Sequence, residues 1–399
     1  MTPEEFAFVF GAVLALAALI WTADYADRRQ ASWARWVVRL TVWGAALLYV
    51  VQGVDALFAA YAEPPSADAP SVVAAQVGFA LSVAIAVAVF ALTFAAVRRR
   101  LVRIFPPFCP AADIPDPPVP TSPAPLFPQE GTPLFPQQLN YYTDRTVVML
   151  GAAATPPVSS AVPVLTPTVR GFNPASELHT LALILIVLAL GGQFMSFVLD
   201  SGLSGVAEEF KSNGLSISGL LINSLPLVVL PFVGVGLGTR RTWRQALRRL
   251  GLGRLGWNGV RVALGTAFIL LFWMVSVGIL WQLLTPQDLY EEQTQATDAL
   301  ARSVTTLGVA FTLAATAAVG EEITFRGALQ PVFGFWPTAL CFTLFHAQYA
   351  FTPAWLLIFG VAVALGWVRQ RYNTTTAILT HFLYNFIQLL AALSLPAFF

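Results

Sequence analysis

Charge is what this sequence has least of. Lys, Arg, Asp and Glu make up 11% of its 399 residues, against about 25% in a typical soluble domain. A soluble globule of that composition would be starved of surface, so a nucleic-acid binder and a cytosolic Rossmann-type enzyme are excluded as first readings. Cysteine is almost absent as well. Cys109 and Cys341 are the two in the chain, which rules out a secreted disulfide scaffold. Histidine occurs three times, at His179, His346 and His381. The formal charge of +1 says little about partners, because in a membrane protein the placement of charge outweighs its sum. Hydrophobic residues fill the gap, at 57% of the chain. They come in runs of about twenty, long enough at 1.5 Å per residue to cross about 30 Å of hydrocarbon.

The sequence therefore predicts an all-α polytopic membrane helical bundle. Apolar runs place about ten transmembrane helices near 6–22, 36–51, 72–97, 178–199, 217–238, 258–284, 303–325, 335–352, 354–368 and 376–395. The first run is led by Glu4 and Glu5 and followed by Arg28 and Arg29, the reverse of a signal peptide. If the count is right, every second loop should be basic. Arg28, Arg29 and Arg35 follow the first span, Arg98, Arg99, Arg100 and Arg103 the third, and Arg240, Arg241, Arg244, Arg248, Arg249 and Arg254 the fifth. The alternate loops are acidic, with Asp55, Asp200 and Glu291 among their residues. Both termini are accordingly expected outside, in the plasma (inner) membrane of the cell, with membrane lipids as the solvent partner.

Three parts are expected: an N-terminal three-helix region (1–103), a proline-rich cytosolic linker (104–176) and a seven-helix membrane domain (177–399). The linker's proline density prevents helices and its apolar content is too low for a core, so it should be mostly disordered. Within it Pro125-Leu-Phe-Pro-Gln129 recurs as Pro133-Leu-Phe-Pro-Gln137. The repeat suits docking on a partner in a polyproline II conformation, although a spacer without a partner is the simpler reading.

Ionisable groups inside spans are costly, and each is a functional candidate by default. The seventh span ends in Gly320-Glu-Glu-Ile-Thr-Phe-Arg-Gly327. Eighteen residues of helix from the outer face advance about 27 Å, which brings Glu321 to the inner part of the bilayer. His381 enters from the inside, and Asn385 lies one turn deeper on the same face. Phe342 and His346 repeat that spacing on the eighth span. Glu321, His346, His381 and Asn385 should thus reach similar depths toward the cytosol. Their chemistry suits hydrolysis: a desolvated carboxylate can take a proton from water with a histidine orienting it. A second histidine and an amide can donate to an oxyanion.

Glu321-Glu322-x-x-x-Arg326, Phe342-x-x-x-His346 and His381-x-x-x-Asn385, in this order on late helices, resemble the CAAX-processing and bacteriocin-immunity family (CPBP, also called Abi). Its members are intramembrane glutamic endopeptidases, and its eukaryotic members remove a C-terminal tripeptide from prenylated proteins. The motifs cover about 303–390. The first three helices and the linker lie outside the pattern. The resemblance implies Glu321 as the water-activating base assisted by His346, with His381 and Asn385 forming the oxyanion hole. It implies a membrane-associated protein or peptide as substrate, and no cofactor.

Blander readings stand beside these. Glu322 and Arg326, four apart, read as a supporting ion pair at a helix end, and Phe342 as packing that shapes the site. Lone membrane histidines more often make interhelical hydrogen bonds. Zinc held by Glu321, His346 and His381 is the mechanistic rival, although the chain contains no His-Glu-x-x-His run. A non-catalytic immunity or scaffold protein of the same fold and a transporter are the functional rivals. Gly251-Leu-Gly-Arg-Leu-Gly256 matches a dinucleotide pattern but has no preceding strand, and Ser204 in Gly202-Leu-Ser-Gly205 reads as loop or cap.

Overall fold

Inside a bilayer every backbone N–H and C=O must find its partner within the chain, so long apolar runs wind into helices. The computed structural model describes residues 3–62, 70–105, 171–200, 202–346 and 352–394. They fall in one compact unit, Met1–Ala111 with Arg170–Phe399. The two proline-rich repeats, Cys109 and the disorder expected between them lie outside the described residues.

The N-terminal part contains α1 (Pro3–Arg29), α2 (Ser32–Tyr61), α3 (Val72–Leu92) and the short α4 (Ala95–Leu101). Then come α5 (Glu177–Leu199), α6 (Leu203–Asn213), a broken span made of α7 (Ile217–Asn223) and α8 (Leu225–Gly234), and α9 (Trp243–Arg249). The C-terminal part contains α10 (Trp257–Leu284), α11 (Gln287–Ser303) and α12 (Leu307–Glu321), which runs into a π-helix (Glu322–Leu329) and α13 (Gln330–Phe333). α14 (Phe335–Leu344), α15 (Ala354–Arg371) and α16 (Thr374–Ser394) complete it. Among the described residues nine helical spans are long and apolar enough to cross a membrane. The all-α polytopic bundle is therefore the fold.

The eighth expected span, 335–352, is corrected. α14 has ten residues, or about 15 Å of helix, half of a hydrocarbon core. Its last turn tightens, with the His346 N–H donating to the Thr343 carbonyl at 3.0 Å, and the chain leaves the helix at His346.

α2 packs on α3 and α3 on α5, around Val42, Ile85, Val89, Leu181 and Ile184. α1 packs on α8, while α16 lies against both α10 and α12. Polar ties at the end of α1 and the start of α5 lock the two parts together. The Asp27 carboxylate accepts from the Glu177 N–H at 2.7 Å, the Leu178 N–H at 3.2 Å and the Ser176 hydroxyl at 2.6 Å, capping donors that α5 leaves open at its N-terminus. Buried Asp24 pairs with Arg28 at 2.8 Å and with Arg240 of the loop after α8. Arg39 pairs with Glu177 at 2.9 Å. Buried Arg98 donates to the carbonyls of Pro174, Leu92 and Thr93, and burial pushes its guanidinium below the ordinary arginine value, with Glu177 opposing.

The glycine-rich stretch after α9 is a helix cap. The Gly251 N–H donates to the Arg248 carbonyl and the Leu252 N–H to Leu247, the paired bonds of a Schellman motif, and Gly251 sits at φ +71° where a side chain is strained. Its carbonyl then accepts from the Thr374 N–H at 2.9 Å, and the Thr374 hydroxyl donates to the Leu250 carbonyl at 2.6 Å. The arginine-rich loop is thereby fixed to the first turn of α16, the helix that carries His381.

Candidate active site

The adjacent carboxylates at the end of α12 have opposite surroundings. The helix changes from α to π winding between Glu321 and Glu322, a local feature common at functional sites. Glu322 is fully buried. One oxygen is 3.2 Å from Arg326 Nε and the other 3.0 Å from His381 Nδ1. Arg326, itself 1% exposed, lies 4.2 Å from the Phe342 ring centroid and donates to the Ala362 carbonyl at 3.3 Å. A buried charge needs such compensation. Glu321 is half-buried and faces a cavity instead. Its Oε2 is buried, with no hydrogen-bond partner among the described residues.

His346, at the end of α14, faces the same cavity. Its Nδ1 is 2.8 Å from the Phe342 carbonyl. A carbonyl only accepts, so this contact puts the proton on Nδ1 and makes Nε2 the lone-pair nitrogen of the neutral ring. Phe342 sits between the two histidines, with its ring 4.8 Å from His346 and 6.2 Å from His381.

The cavity has a volume of about 590 Å³ and is walled mainly by apolar side chains, including Ile20 of α1, Leu181 and Leu185 of α5, and Leu230 of α8. Along α5 it extends from His179 to Ala189, ten residues or about 15 Å. Glu321 and His346 are on its lining. Phe333, Arg240, Arg241 and Arg249 also border it. Thr324, also on the wall, donates to the Leu227 carbonyl at 2.7 Å. That carbonyl has no helical donor because its i+4 residue is Pro231.

The structure thus brings Glu321 and His346 to one cavity and gathers Glu322, Arg326, Phe342 and His381 in a buried cluster beside it. Asn385 is half-buried one turn beyond His381 and is outside the cavity lining. Among the described residues, no group of three His, Cys, Asp or Glu side chains is placed to hold a metal ion. The zinc set of Glu321, His346 and His381 is therefore not assembled in the structure, and His381 Nδ1 is engaged by Glu322. Sequence reasoning missed Thr324 and the cavity wall supplied by α1 and α5. Thr324 carried one readable signal, a hydroxyl three residues from Glu321 in an apolar span that contains few other polar groups.

A carboxylate and a histidine on one cavity wall of a polytopic helical membrane protein are a pair that intramembrane hydrolysis can use. Residues 303–387 match the family described as type II CAAX prenyl endopeptidase, Rce1-like, a stretch that runs from the end of α11 into α16. Over that stretch the chain resembles an Rce1-like CAAX endopeptidase domain, in agreement with the CPBP motifs, and the match supports an intramembrane endopeptidase in general terms. No curated protein and no solved structure matches the chain.

Proposed function

We propose that this protein hydrolyses a peptide bond of a membrane-associated protein or peptide, using water activated by Glu321 and His346 in a cavity that opens toward the cytosol. The observation that carries the reading is the pairing of a partnerless Glu321 oxygen with His346 on one cavity wall. A water between them would give a proton to the Glu321 carboxylate while His346 Nε2 orients it. Its oxygen adds to the scissile carbonyl carbon. The resulting oxyanion needs donors, and His381 and Asn385 are the proposed ones. Because the Glu322 carboxylate accepts from His381 Nδ1, His381 can donate from Nε2 only as the doubly protonated ring, whereas the Asn385 amide donates in any case. Collapse of the adduct breaks the C–N bond, and the proton held by Glu321 passes to the leaving amine.

The apolar wall suits an apolar or lipid-bearing chain end, and the arginines that border the cavity come from a loop that the positive-inside rule assigns to the cytosol. No cofactor enters these steps. The inner membrane is the proposed location, with both termini outside. The proline-rich segment is proposed as a spacer between the two membrane parts.

The test compares new peptide termini in membranes of cells carrying wild type or Glu321→Ala at equal abundance, with and without a metal chelator. Termini that vanish in the variant and persist with chelator are expected. Termini lost on chelation would establish the zinc-dependent version. Identical termini throughout would leave a non-catalytic binder or scaffold.

A further inference from the structure

We propose that α5, which lies outside the matched domain, belongs to the hydrolytic apparatus, with Gln193 as a positioning residue for His346. The inference rests on the hydrolytic reading above. Helices leave their last carbonyls without internal donors, and in a bilayer no bulk water replaces them. Just past the end of α14, the Phe345 carbonyl has no helical donor among the described residues. Gln193 Nε2 donates to it at 2.8 Å, across 152 positions of sequence. The neighbouring Phe194 meets the Trp355 ring edge-on at 6.4 Å, and Trp355 Nε1 donates to the carbonyl of His346 itself at 3.4 Å. Two consecutive residues of α5 therefore hold the turn that presents His346, one directly and one through Trp355.

The turn in turn sets the imidazole. His346 Nδ1 is bonded to the Phe342 carbonyl, so the direction of Nε2 follows the backbone from Phe342 to His346. α5 is a firm support because its register is locked immediately before Gln193. The Tyr49 hydroxyl of α2 donates to the Leu188 carbonyl at 3.0 Å and lies only 2.4 Å from where a Cβ on Gly192 would stand. Glycine there lets α2 close on α5. The N-terminal helices thus reach the catalytic histidine through one side-chain amide.

A bland role also accounts for the bond, namely satisfaction of an orphan carbonyl as in many interhelical contacts. The two roles separate in Gln193→Met, which keeps length and volume and removes the donor. The chain has three histidines, so histidine-selective 15N NMR of the full-length protein in detergent reports each one. His179, on α5 itself, and His381 serve as internal references. The positioning role predicts that His346 resonances move while those of His179 and His381 stay. It also predicts that kcat on a substrate identified from the termini falls about tenfold or more with KM within about twofold, as small misplacements of a reacting group do. Unmoved His346 resonances and unchanged kcat, with or without a lower unfolding midpoint, would overturn it. Should Gln193→Met not fold, Gln193→Asn, one methylene short of the Phe345 carbonyl, carries the same comparison. Cleavage abolished by Glu321→Ala but intact in Gln193→Met would sink the positioning role alone. No Glu321-dependent cleavage by wild type would sink the hydrolytic reading and this role with it.

Discussion

Glu321 and Glu322 share a peptide bond and little else. Glu322 is enclosed by Arg326 and His381, so removing one partner leaves an uncompensated charge in an apolar interior. Arg326→Met should therefore destabilise the protein by about 3–5 kcal/mol, read as a lower thermal unfolding midpoint in detergent. Glu321→Ala should leave that midpoint unchanged or raise it, since its buried Oε2 has no partner to lose. A sharp fall for Glu321→Ala would show that this carboxylate is a structural group. The ion pair was readable in the sequence, because a four-residue spacing pairs Glu322 with Arg326. The contact from His381 to Glu322 was not readable. It spans 59 positions and exists only because α16 packs against the end of α12.

At the scale of elements, the structure departs from uniform spans where the site is built. α7 and α8 break one span, α14 stops after ten residues, and α12 passes into π winding. Hydropathy located these segments but could not show the interruptions, because broken and whole helices present the same apolar composition. Capping chemistry is equally local and was partly readable, as at Gly251, whose lack of a preceding strand already argued against a nucleotide loop. The π-helix and α8 depend on each other through Thr324 and the Leu227 carbonyl that Pro231 leaves without a donor. Thr324→Val keeps the shape and orphans that carbonyl, so a loss of about 1–3 kcal/mol is expected in the same unfolding measurement. No loss would mean that the break in the span satisfies itself by another route.

For the whole molecule, the informative feature is that the N-terminal helices are not appended to the protease domain. They wall its cavity and are tied to α5 and to the loop after α8 by Asp24, Asp27 and Glu177. Arg240→Ala would leave Asp24, which is 1% exposed, with Arg28 as its remaining ion-pair partner. Amide exchange should then accelerate in α1 and α8 while α10 and α15 keep their protection. Equal exchange everywhere would show that apolar packing alone holds α1 in place. The sequence announced these helices through their long apolar runs. It could not announce their attachment, since Asp24 and Asp27 read as ordinary residues of a charged helix end until Arg240 and the first turn of α5 are brought to them.

One cavity wall joins Ile20 to Glu321, which puts a timetable on the protein's birth. The helices that carry Glu321, His346 and His381 leave the ribosome only after α1 has. Until they join it, a growing chain has the α1 wall of the cavity without the carboxylate and histidines of the proposed centre.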